Sequence, residues 1–109
     1  MTIETQFKTG SANIFEDLGL PNPEELLLKA KLTNQISNLI ESRNLSDQEV
    51  AELLEIDVTT IANLLKGRLG DFSIDRLFRF LNALGSDIEI RVIAQPQEKT
   101  QAEVRVIAC

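Results

Sequence analysis

The side chains best suited to recognition chemistry cluster between residues 58 and 66, where the spacing predicts one helix. Its apolar residues Ile61, Leu64 and Leu65 define an inward face. The opposite face consists of Val58, Thr59, Thr60, Asn63 and Lys66. Asparagine can bind an adenine edge and valine can meet a thymine methyl group, so this face could read a DNA major groove. The same pattern also fits the solvated side of an amphipathic helix, and the spacing alone leaves both interpretations open.

The chain has few of the residue types that catalysis commonly uses. The chain contains no histidine and a single cysteine, Cys109, so neither a zinc site nor a histidine-based triad can be assembled. Reactions that need only carboxylates remain formally possible. We therefore expect a binding protein rather than an enzyme, with no catalytic residues, no metal ligands and no cofactor.

Size and composition predict one small domain. The chain has 109 residues and a mass of 12.2 kDa, with 43% hydrophobic residues, which is ordinary for a globular protein. It lacks an apolar run of the roughly 18–20 residues that span a bilayer. Residues 1–10 do not have the pattern of a secretory signal, and a lone cysteine excludes an internal disulfide. These features predict a cytoplasmic protein without a membrane partner.

The charge balance is acidic. The chain has 17 acidic and 11 basic residues, a net charge of −6 and a pI near 4.6. Residues 44–70, which include the candidate recognition helix, hold five acidic and two basic residues. Nucleic-acid-binding domains usually carry a basic patch, so this charge argues against strong DNA binding.

Helix-end signals predict the first and the last helix of the chain. The first begins with Asn22 as its cap and Pro23 in its first turn, and ends near residue 43, where Asn44 can adopt a left-handed conformation. The last helix begins with Ser73 as its cap and ends at Gly85.

Two shorter helices are predicted between them. Ser46 and Glu49 form a capping box that begins a helix ending near residue 54 or 55. The predicted buried residues of this helix are Val50, Ala51, Leu53 and Leu54. The next helix begins with Asp57 as its cap and ends at Gly67.

Beyond Gly85 the apolar period changes from helical to alternating. Ile88, Ile90 and Val92 share one face of a predicted strand. Residues 89–94 and 103–108 are identical at five of six positions. The two segments form either an antiparallel hairpin or a strand that pairs with another chain. An isolated hairpin is marginal in water, so we expect a second copy of the chain to bury these apolar faces.

Together these signals predict a mainly α fold. It is a four- to five-helix bundle that contains a helix-turn-helix, with a C-terminal β-strand or hairpin. Residues 1–21 form an N-terminal arm, residues 22–85 the helical domain and residues 86–109 a dimerisation element.

Two short helices joined by a tight turn describe a helix-turn-helix. Ala51 is small where the helices would cross, Ile56 fills the turn and Ile61 follows five residues later. With these features the chain resembles the XRE (xenobiotic-response-element) family of helix-turn-helix proteins, which are related to phage repressors. It resembles more narrowly the HigA-like antitoxin branch of that family, in residues 13–20, 25–32, 64–68, 72–77 and 84–90.

The resemblance implies roles for individual residues. The implied base-contacting residues are Val58, Thr59 and Asn63. The implied phosphate-contacting residues are Ser46, Gln48, Thr60, Lys66 and Arg68. Arg76 and Arg79 could add phosphate contacts or could be merely solvated. The chain departs from the family at Asp47, where the family has a glutamine that contacts phosphate, and at Glu55, where it has a turn glycine.

The resemblance also implies a function. A HigA-like protein is a homodimer that binds an inverted-repeat operator in double-stranded DNA and represses transcription. It also neutralises a small basic toxin similar to the mRNA-cleaving RelE and HigB proteins. Two alternatives remain at this point: a stand-alone XRE-type regulator without a toxin, and a protein-interaction module whose DNA surface has decayed, which Asp47 and Glu55 would explain.

Overall fold

The computed structural model describes residues 3–5, 18–94 and 104–108. Within them the elements are β1 (Ile3–Thr5), α1 (Pro23–Ser42), α2 (Asp47–Leu54), α3 (Val58–Leu65), a 3-10 turn (Leu69–Asp71), α4 (Ile74–Ala83) and β2 (Val106–Ala108). The predicted mainly helical fold with a helix-turn-helix and a C-terminal strand is confirmed. Most of the predicted arm, residues 95–103 and Cys109 lie outside the described residues.

The start of the long helix α1 has the predicted proline but lacks the predicted side-chain cap. Pro23 occupies its first turn, and Glu24 and Glu25 place negative charge there, where the helix dipole favours it. The predicted Asn22 side-chain cap is wrong, because Asn22 has a left-handed backbone (φ 52°) and its side chain makes no capping hydrogen bond. Proline at the following position contributes the fixed φ that begins the helix.

All four helices end in the same Schellman motif. One or two positions beyond the last residue of each helix, the backbone is left-handed: at Asn44 (φ 53°), Glu55 (φ 57°), Gly67 (φ 88°) and Gly85 (φ 93°). The next amide nitrogen then donates to a carbonyl oxygen five residues back, at 3.0–3.1 Å. Glycine adopts this conformation freely and asparagine tolerates it, so Glu55 is the one residue of the four that is strained there.

The helical core is built around α1. Its buried apolar residues are Leu32, Ile36, Ile40, Val50, Ala51, Leu54, Ile61, Leu64, Phe72, Leu77, Phe80, Leu81 and Leu84. Two residues predicted to face inward are exposed instead, Leu53 at 42% and Leu65 at 40%. Helices of eight residues bury only about one residue per turn against this core, so each leaves a second leucine outside. None of the helices in residues 18–94 combines the length and apolar content that crossing a bilayer requires.

Of the two C-terminal arrangements that the sequence left open, the hairpin is not formed by the described residues. Residues 86–94 belong to no strand, and β2 pairs antiparallel with β1, with Ile3 opposite Ala108 and Thr5 opposite Val106. Contacts in β2 and just before it attach this strand to its own helical domain. The Lys31 ammonium donates a 2.8 Å hydrogen bond to the Val104 carbonyl oxygen, and Val106 packs against the core. The strand thus finds its partner at the other end of the chain rather than in the neighbouring repeat.

We predict that Glu55→Gly leaves stability unchanged or raises the free energy of unfolding by up to about 1 kcal/mol, because glycine removes the left-handed strain. Glu52→Gly is the matched control, since Glu52 is an exposed glutamate inside α2, where glycine costs about 1 kcal/mol. Urea unfolding of both variants measures the difference. An equal loss in both would contradict a strained Glu55.

Candidate nucleic-acid interface

The predicted helix-turn-helix is present with the predicted packing. Helices α2 and α3 have eight residues each and are joined by residues 55–57. Ala51 and Ile61 are buried, and Ile56 packs against the core from within the turn. The Ile56 amide nitrogen donates to the Ala51 carbonyl oxygen at 3.0 Å, which fixes the path of the turn. The relative orientation of the two helices is therefore set by apolar contacts and by a backbone hydrogen bond.

The outer face of α3 carries the residues expected to contact bases. Val58 is 46% exposed and Thr59 is exposed, whereas Asn63 and Thr60 are half-buried. The residues at the two ends of this face, Val58 and Asn63, lie on consecutive turns of the helix. A valine that is 46% exposed at this position offers apolar surface to solvent, and apolar contact with a thymine methyl is one chemistry that it suits.

The residues expected to contact phosphate lie at two places. Ser46 and Gln48 are exposed at the start of α2. Lys66 and Arg68 are exposed immediately after α3. Gly67 lies between them with φ 88°, and the Arg68 amide closes the Schellman motif on Asn63 at 3.1 Å. The two basic side chains therefore follow the candidate reading face directly, on a turn whose backbone is fixed.

Arg76 and Arg79 are already engaged within the helical domain. The Arg76 guanidinium carbon lies 5.1 Å from the ring centre of Phe72 and 5.4 Å from that of Phe80, a cation–π arrangement. Arg79 pairs with Asp75 at 3.1 Å on the surface of α4. Of the four basic residues singled out from the sequence, Lys66 and Arg68 are thus the pair best placed for phosphate.

The start of α2 is a closed capping box, as predicted. The Ser46 hydroxyl oxygen accepts from the Glu49 amide at 3.1 Å, and the Ser46 amide donates to the Glu49 carboxylate at 3.0 Å. The hydrogen bond from the Ser46 backbone amide, with that of its side chain, lowers the pKa of Glu49 from its usual 4.5. The Ser46 and Glu49 amides are therefore satisfied within the chain, so a phosphate contact by Ser46 would come from its hydroxyl group.

The helix α2 and the turn after it carry five exposed acidic side chains. They are Asp47, Glu49, Glu52, Glu55 and Asp57. Each lies close in sequence to a candidate DNA-contacting residue, so they lower the local potential that would attract phosphate. This surface therefore offers fewer positive charges to neutralise DNA phosphates than a basic helix-turn-helix does.

The sequence reasoning missed a shallow groove of about 430 Å³ between α1 and α3. It is lined by Ala30, Thr33, Asn34, Ser37, Leu64, Leu65, Gly67 and Leu69. The hydroxyl oxygen of Thr33 is buried there without a hydrogen-bond partner among the described residues. The available signal was the stripe of small and polar residues at helical spacing on α1, beginning at Ala30 and ending at Ser37.

Comparison with known proteins agrees with this geometry. The sequence pattern of the helix-turn-helix domain family matches residues 14–93. A solved structure described as an XRE-family transcriptional regulator is 31% identical, with a TM-score of 0.78 over 82% of this chain and all of that chain. No curated protein matches the chain. The fold, with α3 presenting an exposed outer face as the second helix of the motif, defines a helix-turn-helix protein. The chain belongs to the helix-turn-helix domain family and, by its structural relative, to the XRE type.

The capping box predicts a pH effect on stability. Because folding lowers the pKa of Glu49, the ionised carboxylate stabilises the fold above about pH 4.5, and this contribution is lost as pH falls through the lower folded-state pKa. Replacing Glu49 with glutamine removes the effect. The difference in melting temperature between wild type and Glu49→Gln should therefore shrink as the pH is lowered from 6 to about 3.

Glu52→Gln is the control for that prediction, since it removes the same charge from an exposed position of the same helix. Its difference from wild type should show a weaker pH dependence. Identical pH dependence in the two variants would contradict a closed capping box.

Proposed function

We propose that this protein is a DNA-binding transcriptional repressor in which α3 is the recognition helix. The observation that carries the proposal is the exposed outer face of α3, on the second helix of a helix-turn-helix, in a chain of the XRE type. In this proposal Val58, Thr59 and Asn63 contact base edges in the major groove. Asparagine suits adenine, and valine suits a thymine methyl group.

Phosphate contacts hold the recognition helix in register. We assign them to Ser46, Gln48, Thr60, Lys66 and Arg68. Two of these side chains are cationic, so each protomer releases few counterions from the DNA on binding. Each phosphate contact contributes about −0.9 to the slope of log binding constant against log salt concentration. The proposed binding is weak, and its salt dependence is shallow.

The proposed repressor acts as a homodimer on an inverted repeat. Residues 22–85 form the reading domain and residues 86–109 the dimerisation element. A twofold dimer places its recognition helices about 34–36 Å apart, which matches half-sites one helical turn apart. Two weak half-site contacts on one rigid body bind with a high effective concentration, so dimerisation compensates for the small number of basic side chains.

The finer proposal is that the repressor is also a HigA-like antitoxin. Its support is the likeness of residues 13–20 and 25–32 to that branch, together with a net charge of −6. An acidic surface speeds encounter with a basic protein and disfavours acidic competitors. The proposed partner is a small basic toxin similar to RelE and HigB, held by the N-terminal arm and α1.

Two substitutions separate base reading from phosphate contact. Asn63→Ala should cost about 1–3 kcal/mol on the operator and relax the preference at one base pair, because a base-edge hydrogen bond is lost. Lys66→Ala should weaken binding to all sequences and reduce the salt slope by about 0.9. Fluorescence anisotropy with single-base operator variants over a salt series measures both effects.

Asn82→Ala is the matched control, because Asn82 is an exposed asparagine near the end of α4. Its affinity should equal that of the wild type. Asp47→Gln should bind more tightly, since it removes a negative charge from the phosphate-facing end of α2. If Asn63→Ala keeps the wild-type base preference and Asp47→Gln keeps its affinity, α3 is not the reader.

The antitoxin role predicts a neighbouring gene that encodes a small basic protein. Expression of that protein alone should arrest growth, and co-expression of this chain should restore it. Asn63→Ala should still restore growth, because toxin binding is assigned to the arm and α1 rather than to α3. Absence of such a gene on both sides, with operator binding retained, would leave the repressor proposal in place and overturn the antitoxin proposal.

A further inference from the structure

A run of exposed apolar side chains follows α4. Ile90 is 72% exposed, Val92 is 97% exposed and Ile93 is 72% exposed, whereas Ile88 packs against the helical core. Residues 86–94 belong to no helix or strand. β-branched residues that alternate with charged residues are typical of a strand, and a strand with this much exposed apolar surface needs a partner.

The base of this segment is fixed to the helical domain. The Ser86 amide donates to the Leu81 carbonyl oxygen at 3.0 Å, beyond the left-handed Gly85. The Arg43 guanidinium donates a 2.6 Å hydrogen bond to the Leu84 carbonyl oxygen. A strand that pairs with residues 88–92 would therefore lie close to the ends of α1 and α4, in a defined position relative to the helices.

The sequence around Ile90 is complementary to itself when reversed. Glu89 and Arg91 share one face and form an ion pair of 2.9 Å, with both side chains 75% exposed. In an antiparallel pair centred on Ile90, Glu89 lies opposite the partner's Arg91 and Arg91 lies opposite the partner's Glu89. Opposite charges placed directly across two strands are stabilising.

We propose that residues 86–94 pair antiparallel with the same segment of a second copy, about a twofold axis that passes through Ile90. The same register places Val92 opposite the partner's Ile88. Val92, the most exposed of these side chains, is thereby brought beside the residue that packs on the partner's core. A twofold interface of this kind is isologous, so each favourable pair occurs twice.

Neighbouring registers lack this complementarity. A change of two residues in one direction places Arg91 opposite the partner's Arg91, and in the other direction it places Glu89 opposite the partner's Glu89. A change of one residue turns the apolar face of one strand to the wrong side. The pairing centred on Ile90 is therefore selected by charge and by apolar alternation together.

The repeated sequence at residues 103–108 is the competing partner. There, Glu89 would lie opposite the partner's Arg105 and Arg91 opposite the partner's Glu103. In this structure β2 is already paired with β1, and the Val104 carbonyl oxygen is bound by Lys31. Within the part of the chain that the structure describes, residues 86–94 pair with no strand, which favours pairing with their own copy.

The inference rests on the proposed homodimer and is tested by charge exchange. Sedimentation velocity of the full chain without DNA compares wild type, Glu89→Arg, Arg91→Glu and the double variant Glu89→Arg/Arg91→Glu. Each single variant makes both symmetry-related pairs like-charged, so its dimer dissociation constant should rise roughly tenfold or more. The double variant restores opposite charges and should return to within about threefold of wild type.

The outcomes are distinct. A monomeric wild type, or single variants that dimerise like wild type, overturns the interface. A double variant that stays dissociated also overturns it and indicates pairing with residues 103–108, because that pairing would bring like charges together. Since mass is measured without DNA, a dimer that binds no operator contradicts the DNA-binding proposal alone.

A cysteine pair provides a second readout in a Cys109→Ser background. Ile90→Cys lies opposite its own copy and should form a disulfide-linked dimer on mild oxidation. Val92→Cys is the control, because this register separates the two Val92 positions by four residues, about 13 Å along the strands. Val92 is more exposed than Ile90, so faster cross-linking at Val92 would indicate random collision and overturn the register.

Discussion

The turn between α2 and α3 gives the chain only residues 55–57 in which to change direction and still pack Ile56 against the core. The closing hydrogen bond from the Ile56 amide to the Ala51 carbonyl requires a left-handed residue at Glu55, and Ile61 then reaches the core one turn into α3. Everything that α3 presents outward depends on this geometry, since its exposed face is defined by which residues are buried. The strain at Glu55 is tolerated because the apolar contacts on both sides of the turn oppose its relaxation.

The acidic surface limits how such a helix can bind DNA. The two cationic side chains assigned to phosphate, Lys66 and Arg68, both lie just after α3, whereas five acidic side chains lie on α2 and the turn. The same charges are well suited to a basic protein surface. Under the proposed function, one acidic domain serves both DNA and a basic protein if its DNA affinity comes from two half-sites rather than from charge. The proposed pairing of two copies would then be decisive for DNA binding.

Most of the helical domain could be predicted from the sequence, because its signals are local. The Ser46 capping box, Pro23 in the first turn of α1, and the left-handed Asn44 each depend on residues within one turn of a helix end. The errors have a different origin. Leu53 and Leu65 match the apolar period but lie beyond the narrow core contact of a short helix, which only the packed structure defines. The stripe from Ala30 to Ser37 marks one wall of the groove between α1 and α3. No local signal pairs it with the other wall, because the two walls are far apart in sequence.

The two C-terminal repeats show this difference most directly. Residues 89–94 and 103–108 share five of six residues, and therefore almost the same local preferences, yet only the second segment contains a strand. What differs is their surroundings: β1 supplies an antiparallel edge to β2, and Lys31 anchors Val104, whereas nothing within the described chain pairs with residues 89–94. A strand is completed by its neighbour, so a sequence that favours a strand predicts the need for a partner without identifying it. For β2 the partner is the other end of the same chain, and for residues 89–94 the complementary charges around Ile90 point to a second copy.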